Sequence, residues 1–500
     1  LDIAADVEIL PYLFEETMMM AMLRWRRPLL MFVLLCLVFS SGWTYDLNGT
    51  AVAQERDILT YLKSIPGMEA TEWDNAPSGY RYFVMNYQQP VDHFRDDDDG
   101  DEAQDGVFTQ RMVLLHRNAS APTVMLTHGY NLSISPGRAS LTRLLDANQL
   151  RVEHRYFDAS TPQPRDWDYL TIRQAAADHH RIIQAIRPFY SGKWVTNDAS
   201  KGGMTAMYHR RFYPNDVDGT VADVAPHSAG RLDKRYAAFQ KQVGTAECRR
   251  DLKLYQREVL SRREAMTARI QEYADRYNLT FSMPGGLDRV LDLTIGELYF
   301  QFWQYGRLEY CASIPAIDAS DDAIFDFMLD WGPLYFASDI GIQRFEPYFY
   351  QAITQLGYPR LLTEHLEDLL LYDPNDYSAY VSEWPDQDFD RYAMRDVGYW
   401  TARQSRNIIL TYGEIDPWSA GAFPLPDSAE RSTKKFLLAG GNHGTNVSQL
   451  APDDQAEAFA MLEAWTGVKP SLALLQEPHI SADTPTDLEL ELGSERPINH

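Results

Sequence analysis

Hydrophobic residues follow two rhythms along this chain, and the order of the rhythms predicts its architecture. "YRYFVMNYQQPVDHF" (80–94) and "FTQRMVLLHR" (108–117) are rich in aromatic and branched residues, and the acidic, glycine-bearing "RDDDDGDEAQDG" between them predicts a hairpin. "PTVMLTHGY" (122–130) reads as a short buried strand ending in a glycine turn, and "QLRVEHRYF" (149–157) as the next strand. "YLTIRQAAADHHRIIQAIR" (169–187) switches to helical spacing, "GKWVTND" (192–198) returns to strand, and "MTAMYHRRFYP" (204–214) is helical until Pro214. Strands alternating with helices predict a mostly parallel sheet covered on both faces.

From about residue 232 the texture changes. "RRDLKLYQREVLSRREAMTARIQEYADRYN" (249–278) predicts one long amphipathic helix, followed by aromatic-rich helical stretches such as "IGELYFQFWQYG" (295–306) and "EPYFYQAITQLG" (346–357). Strand character resumes in "NIILTYGEIDPWSAG" (407–421) and "KKFLLAGGNHGTN" (434–446), and "DDQAEAFAMLEAWTG" (453–467) closes with a helix. The expected organisation is a discontinuous α/β sheet domain (78–231 and 399–468), interrupted by a helical cap insertion (232–398) and trailed by a loosely held tail (469–500).

Composition narrows the function. A net charge of −25 with no basic stripe argues against a nucleic-acid partner. The acidic turn after Phe94 lacks EF-hand spacing and reads as a solvated loop. No H-E-x-x-H run occurs, and "DHH" (178–180) has no matching carboxylate pattern, so neither a metal nor another cofactor is expected. Near the N-terminus, Arg24, Arg26 and Arg27 precede the apolar run Leu29 to Phe39 and the small exit Ser40-Ser41-Gly42. That order reads as a secretory signal peptide, with an upstream extension before Met22, so residues 1–42 are set apart from the fold. The apolar run is short for a membrane span, and no stable membrane insertion is expected once it is removed. Of the three cysteines, Cys36 falls in this segment, which leaves Cys248 and Cys311 as a candidate pair in an oxidising compartment.

The candidate chemistry lies at three strand ends. Ser200 sits where a strand turns into a helix, in "DASKGGMT", the context of a nucleophile elbow, although Asp198 stands where the G-x-S-x-G pattern has its first glycine. A serine hydroxyl attacks well only when an imidazole takes its proton, and that imidazole needs a carboxylate to fix its tautomer. Asp416 follows the strand "NIILTY" and His443 follows "KKFLLA", giving the chain order nucleophile, acid, histidine expected of this fold. The backbone N–H groups of Lys201 and Tyr130 are the candidate oxyanion donors. His128 is a rival base, disfavoured because it precedes the nucleophile on the oxyanion loop.

The segments "QPVDHF" (89–94), "LTHGYN" (126–131), "EHRYF" (153–157), "ASKGGMTAMYHRRFYP" (199–214), "YGEIDPWSAG" (412–421) and "GGNHGTN" (440–446) resemble the secreted tripeptidyl aminopeptidases of serine peptidase family 37. More distantly, they resemble the prolyl peptidases of serine peptidase family 28. The likeness runs from about 78 to 467. It implies an α/β-hydrolase fold with a helical cap, release of short peptides from substrates with free N-termini, and Ser200, Asp416 and His443 as nucleophile, acid and base. Such an enzyme must hold a charged amine at a fixed distance from the scissile bond, which a carboxylate in a confined aromatic site does best. Glu153 and Glu297 are the candidates, with Tyr299, Phe300, Phe302 and Trp303 as neighbours of the latter. An esterase or lipase of the same fold is the alternative enzyme, and a non-catalytic binding protein is the reading from outside enzymology.

Overall fold

A computed structural model of the chain describes residues 43–45, 51–53, 57–94, 106–385 and 388–476. The segment expected to be a signal peptide, the acidic run at 95–105 expected to be a turn, and residues 477–500 of the tail expected at 469–500 lie outside the described residues. The chain divides into two units, 1–57 and 58–500. In the first, Trp43–Tyr45 and Ala51–Ala53 pair as a short antiparallel ladder.

The second unit is built on a nine-stranded sheet. Its strands are β1 (Met68–Trp73), β2 (Arg81–Pro90), β3 (Val107–His116), β4 (Thr123–Leu126), β5 (Asn148–Val152), β6 (Trp194–Ala199), β7 (Gly219–Asp223), β8 (Ile408–Gly413) and β9 (Thr433–Leu438). Their spatial order is β9-β8-β7-β6-β4-β5-β3-β2-β1. Pairing is parallel from β9 across to β5 and antiparallel from β5 to β1. The hairpin expected from the aromatic runs is β2–β3, in register from Arg81 opposite His116 to Pro90 opposite Val107. The parallel strands are short and buried throughout at β4, β5, β7 and β8, as strands covered on both faces must be. This is the α/β-hydrolase topology. From β5 the chain passes β4 and re-enters the sheet on its other side as β6, and this reversal at β4 is a switch point at which strand ends open a crevice.

Helices α1 (Ile172–Ile186) and α2 (Ser200–Phe212) pack against each other beside the sheet. Between β7 and β8 the chain is mainly helical, with α3 (Ala246–Ser261), α4 (Arg263–Tyr277), α5 (Leu287–Tyr305), α6 (Asp321–Trp331) and α7 (Asp339–Gln351). These helices have an apolar core of their own, with Leu252, Tyr255, Met266, Ile270, Leu298, Phe302 and Trp303 at its centre. Cys248 on α3 is disulfide-bonded to Cys311, just past α5.

Two expectations need correction. The long amphipathic run at 249–278 is not one helix but two, because Arg262 leaves helical geometry between α3 and α4. Its guanidinium reaches Glu258, Asp321 and the carbonyls of Ile317 and Ala319, so tertiary partners stabilise the break. The central strand β7, "GTVAD", was not anticipated. Four of its five residues are small or polar, and its burial comes from its neighbours β6 and β8.

Candidate active site

Ser200 begins α2 at the end of β6 with φ 55°, a left-handed backbone that a serine adopts only when its surroundings hold it there. Glycines make the turn possible. A Cβ on Gly203 would lie 2.8 Å from the Ala225 Cβ, and one on Gly202 would lie 2.5 Å from the Asp198 carboxylate. Asp198 therefore occupies space that a side chain at 202 would need. Its Oδ2 accepts from the His128 N–H at 2.7 Å and its Oδ1 from the Ala199 N–H at 2.8 Å. The residue that departs from the expected glycine thus ties the Ser200 turn to the turn after β4.

Three strand-end loops converge here. The Ser200 Oγ lies 2.8 Å from His443 Nε2, and His443 Nδ1 lies 2.7 Å from Asp416 Oδ2. Asp416 is fully buried, and its other oxygen accepts from the Trp418 N–H at 3.0 Å, which starts the short turn Pro417–Gly421. Burial pushes the Asp416 carboxyl up, against the opposing pull of the His443 imidazole. The His443 loop is seated from both sides. A Cβ on Gly413 would meet the carbonyls of Gly441 and Asn442, so only glycine lets β8 lie this close. On the other side the His443 N–H donates to the Gln304 carbonyl at 2.8 Å, and Asn442 Nδ2 donates to those of Tyr305 and Gly306, at the C-terminal end of α5. Such an arrangement can move a proton from an alcohol to an imidazole while a buried carboxylate holds the ring.

His128 does not compete for that role. Its Nε2 accepts from Arg151 Nε, and burial followed by the charge of Arg151 pushes its imidazole well below the usual range. The Lys201 N–H lies in the first turn of α2, where helix N–H groups have no intrahelical acceptor. The Tyr130 N–H has no acceptor among the described residues, whereas its carbonyl accepts from His154 N. Both expected donors are thus uncommitted to the fold.

The two candidate amine ligands differ. Glu153 is fully buried and saturated. Oε1 accepts from Arg111 Nη2 at 2.6 Å and Leu132 N at 2.9 Å, and Oε2 from Ser160 Oγ at 2.7 Å and Ser160 N at 3.1 Å. The structure therefore corrects the expectation for Glu153: four internal donors occupy it, and it fixes the loop after Tyr130 instead of facing a ligand. Glu297 on α5 retains some accessible surface, and Tyr348, Tyr358, Tyr377 and Tyr380 stand around it, close enough to feel its charge. Its Oε1 accepts from the Tyr358 hydroxyl at 3.1 Å, and desolvation raises its carboxyl to about 7 despite help from Tyr358 and Gln301. Tyr299, Phe300, Phe302 and Trp303, its neighbours in sequence, are buried in apolar clusters.

The rings nearest the site were not singled out by sequence. Trp418 lies 6.0 Å from the His443 ring, and Tyr358 stands edge-on to Trp418 at 5.9 Å, so two ring contacts and a hydrogen bond link His443 to Glu297. Tyr348 bridges Tyr358 and Tyr130, at 6.0 and 5.6 Å. The only signal for Trp418 was its position two residues after Asp416.

Residues 51–490 match the PS-10 peptidase S37 family. The chain belongs to that family. It is 41% identical over 442 residues to the prolyl tri/tetrapeptidyl aminopeptidase of Streptomyces mobaraensis, covering 88% of this chain and 91% of the relative. The mouse lysosomal Pro-X carboxypeptidase is 26% identical over 180 residues, covering 32% and 35% of the two chains. Among solved structures, the proline iminopeptidase of Mycobacterium smegmatis aligns with TM-score 0.32 and 11% identity over 79% of this chain and 97% of that one. This S37 chain is a serine exopeptidase of the α/β-hydrolase fold. No helix among its described residues is long and apolar enough to cross a membrane.

Proposed function

We propose that this peptidase releases short N-terminal peptides, three or four residues long, from substrates with a free amino terminus. The observation that carries the reading is the enclosed carboxylate of Glu297, two ring contacts from the imidazole beside Ser200. Three to four extended residues span roughly 10–14 Å, so a cationic amine on Glu297 would set the distance to the scissile bond. In this mechanism Ser200 Oγ attacks the scissile carbonyl and passes its proton to His443 Nε2, while Asp416 holds Nδ1–H. The N–H groups of Lys201 and Tyr130 receive the oxyanion. His443 then protonates the leaving amine, and water releases the peptide from the acyl-enzyme. The name of the Streptomyces relative supports a product of this length and proline before the cut. The Cys248–Cys311 bond supports export to an oxidising compartment, in keeping with the signal-like N-terminal segment. The test is to incubate the purified chain with a mixed peptide library and measure product lengths by mass spectrometry. Tri- and tetrapeptides from the amino end are expected. Internal cuts, or turnover of acyl esters with no action on free-amine peptides, would replace this reading with an endopeptidase or an esterase.

A further inference from the structure

The side chain of Lys201 has no place in the mechanism above, which uses only its backbone. It is nevertheless buried beside the nucleophile, a costly position for an amine. No carboxylate among the described residues pairs with it. Its Nζ donates to one acceptor, the Gly129 carbonyl at 2.6 Å, and otherwise faces the rings of Tyr130 at 5.6 Å and Phe157 at 5.4 Å. Burial pushes the Lys201 amine well below its usual range, and a neutral amine still donates an N–H to this carbonyl.

The acceptor identifies the role. The Gly129 carbonyl belongs to the same peptide unit as the Tyr130 N–H. The bond between the two residues is trans, so its C=O and N–H point to opposite edges of one plane. A donor fixed on the carbonyl therefore fixes the direction of the N–H, and pulling electron density toward the oxygen makes the N–H a stronger donor. The packing permits no slack. A Cβ on Gly129 would lie 2.6 Å from Lys201 Cγ, 2.7 Å from its Cβ and 2.9 Å from Gly202 N. The other end of the turn is held by Asp198 through the His128 N–H.

We infer that Lys201 is a positioning residue: its side chain orients and polarises the Gly129–Tyr130 peptide so that the Tyr130 N–H meets the oxyanion formed at Ser200. One residue would then serve the oxyanion twice, directly through its own N–H and at one remove through its amine. The inference rests on the Ser200 acyl-enzyme reading above.

Its test is Lys201→Met, which keeps the apolar stem and removes the donor. It is measured with a free-amine tripeptide p-nitroanilide, the matching tripeptide boronic acid and the free tripeptide product. A donor that acts on the oxyanion should lower kcat by roughly 10- to 100-fold, somewhat less than outright loss of an oxyanion donor. KM should stay within about twofold, and boronate affinity should fall in step with kcat while product affinity holds. Unchanged kcat and boronate affinity, or equal weakening of boronate and product, would overturn the inference. Should Lys201→Met fail to give the wild-type thermal transition, Lys201→Leu also removes the donor while keeping an apolar stem. It should show the same split, and an unchanged kcat and boronate affinity there overturn the inference equally. A wild-type enzyme that a fluorophosphonate does not label at Ser200 would remove the underlying acyl-enzyme reading, a result distinct from any of these.

Discussion

Glu153 beside the sheet and Glu297 in the helical segment between β7 and β8 are both enclosed carboxylates, and the fold answers them in opposite ways. Along the sheet, Asp178 meets Arg155 through two nitrogens and His93 through a third, Glu153 accepts from four donors, and Asp416 has both His443 and the Trp418 N–H. In the helical segment, Glu297 has only neutral partners, Tyr358 and Gln301, and its carboxyl rises to about 7. Neutral partners alone do not mark a ligand site, since Asp223 on β7 has only Thr411 and Asn197 and its carboxyl rises to about 6. Glu297 differs in keeping accessible surface, and under the proposed function a substrate cation would supply the charge that the fold does not.

The largest effect that can break this contrast is on the sheet side. Ser200→Ala should lower kcat by at least about 10⁴-fold and abolish fluorophosphonate labelling, with little change in KM. Asp416→Asn follows, at about 10³- to 10⁴-fold in kcat, because an amide in its place favours the wrong imidazole tautomer. Both losses should be the same for free-amine peptides and N-blocked esters, since neither side chain meets the amino terminus.

Glu297→Gln should separate those substrates. Loss of an enclosed ion pair is expected to lower kcat/KM for free-amine peptides by roughly 10²-fold while leaving N-blocked esters unchanged. The pH dependence supplies a sign. With the carboxyl raised to about 7, Glu297 is neutral below that pH in the free enzyme, so KM for free-amine peptides should fall as pH rises through about 7. KM should then climb again as the substrate amine loses its proton, near pH ~8. The same shift acts on stability. A carboxyl raised in the folded state contributes fully below its unfolded value of 4.5 and loses that contribution as pH rises through about 7. At pH 8, therefore, Glu297→Gln should melt higher than wild type while working less well, a combination that differential scanning fluorimetry and steady-state kinetics detect together.

Much of this was legible because the signals are local. Strands ending in Gly-bearing polar loops at Ser200, Asp416 and His443 are visible in windows of ten residues, and the three loops do meet within hydrogen-bond distance. What required coordinates was set by distant partners. Nothing near "GTVAD" announces a central strand, since β7 is recruited by β6 and β8. Glu153 and Glu297 looked equivalent because whether a carboxylate is answered depends on Arg111, Leu132 and Ser160 in one case and on Tyr358 in the other. Lys201 read only as a backbone donor until its amine was found on Gly129.

The smallest expected effect sharpens the comparison most. Glu153→Gln keeps the size and shape of a side chain that accepts from Arg111, Leu132 and both Ser160 donors. An amide nitrogen cannot accept, so one set of donors loses its partner inside the protein. Arg111 keeps Asp158 as a second anion, which limits the damage. A destabilisation of about 2 kcal/mol is expected, read as a lower midpoint in urea with an unchanged slope. Activity should decline equally on free-amine peptides and N-blocked esters, because the loop after Tyr130 loosens without any change in how the amine is held. Were Glu153→Gln instead to discriminate between the two substrates as Glu297→Gln is expected to, the contrast between Glu153 and Glu297 would no longer separate support from binding.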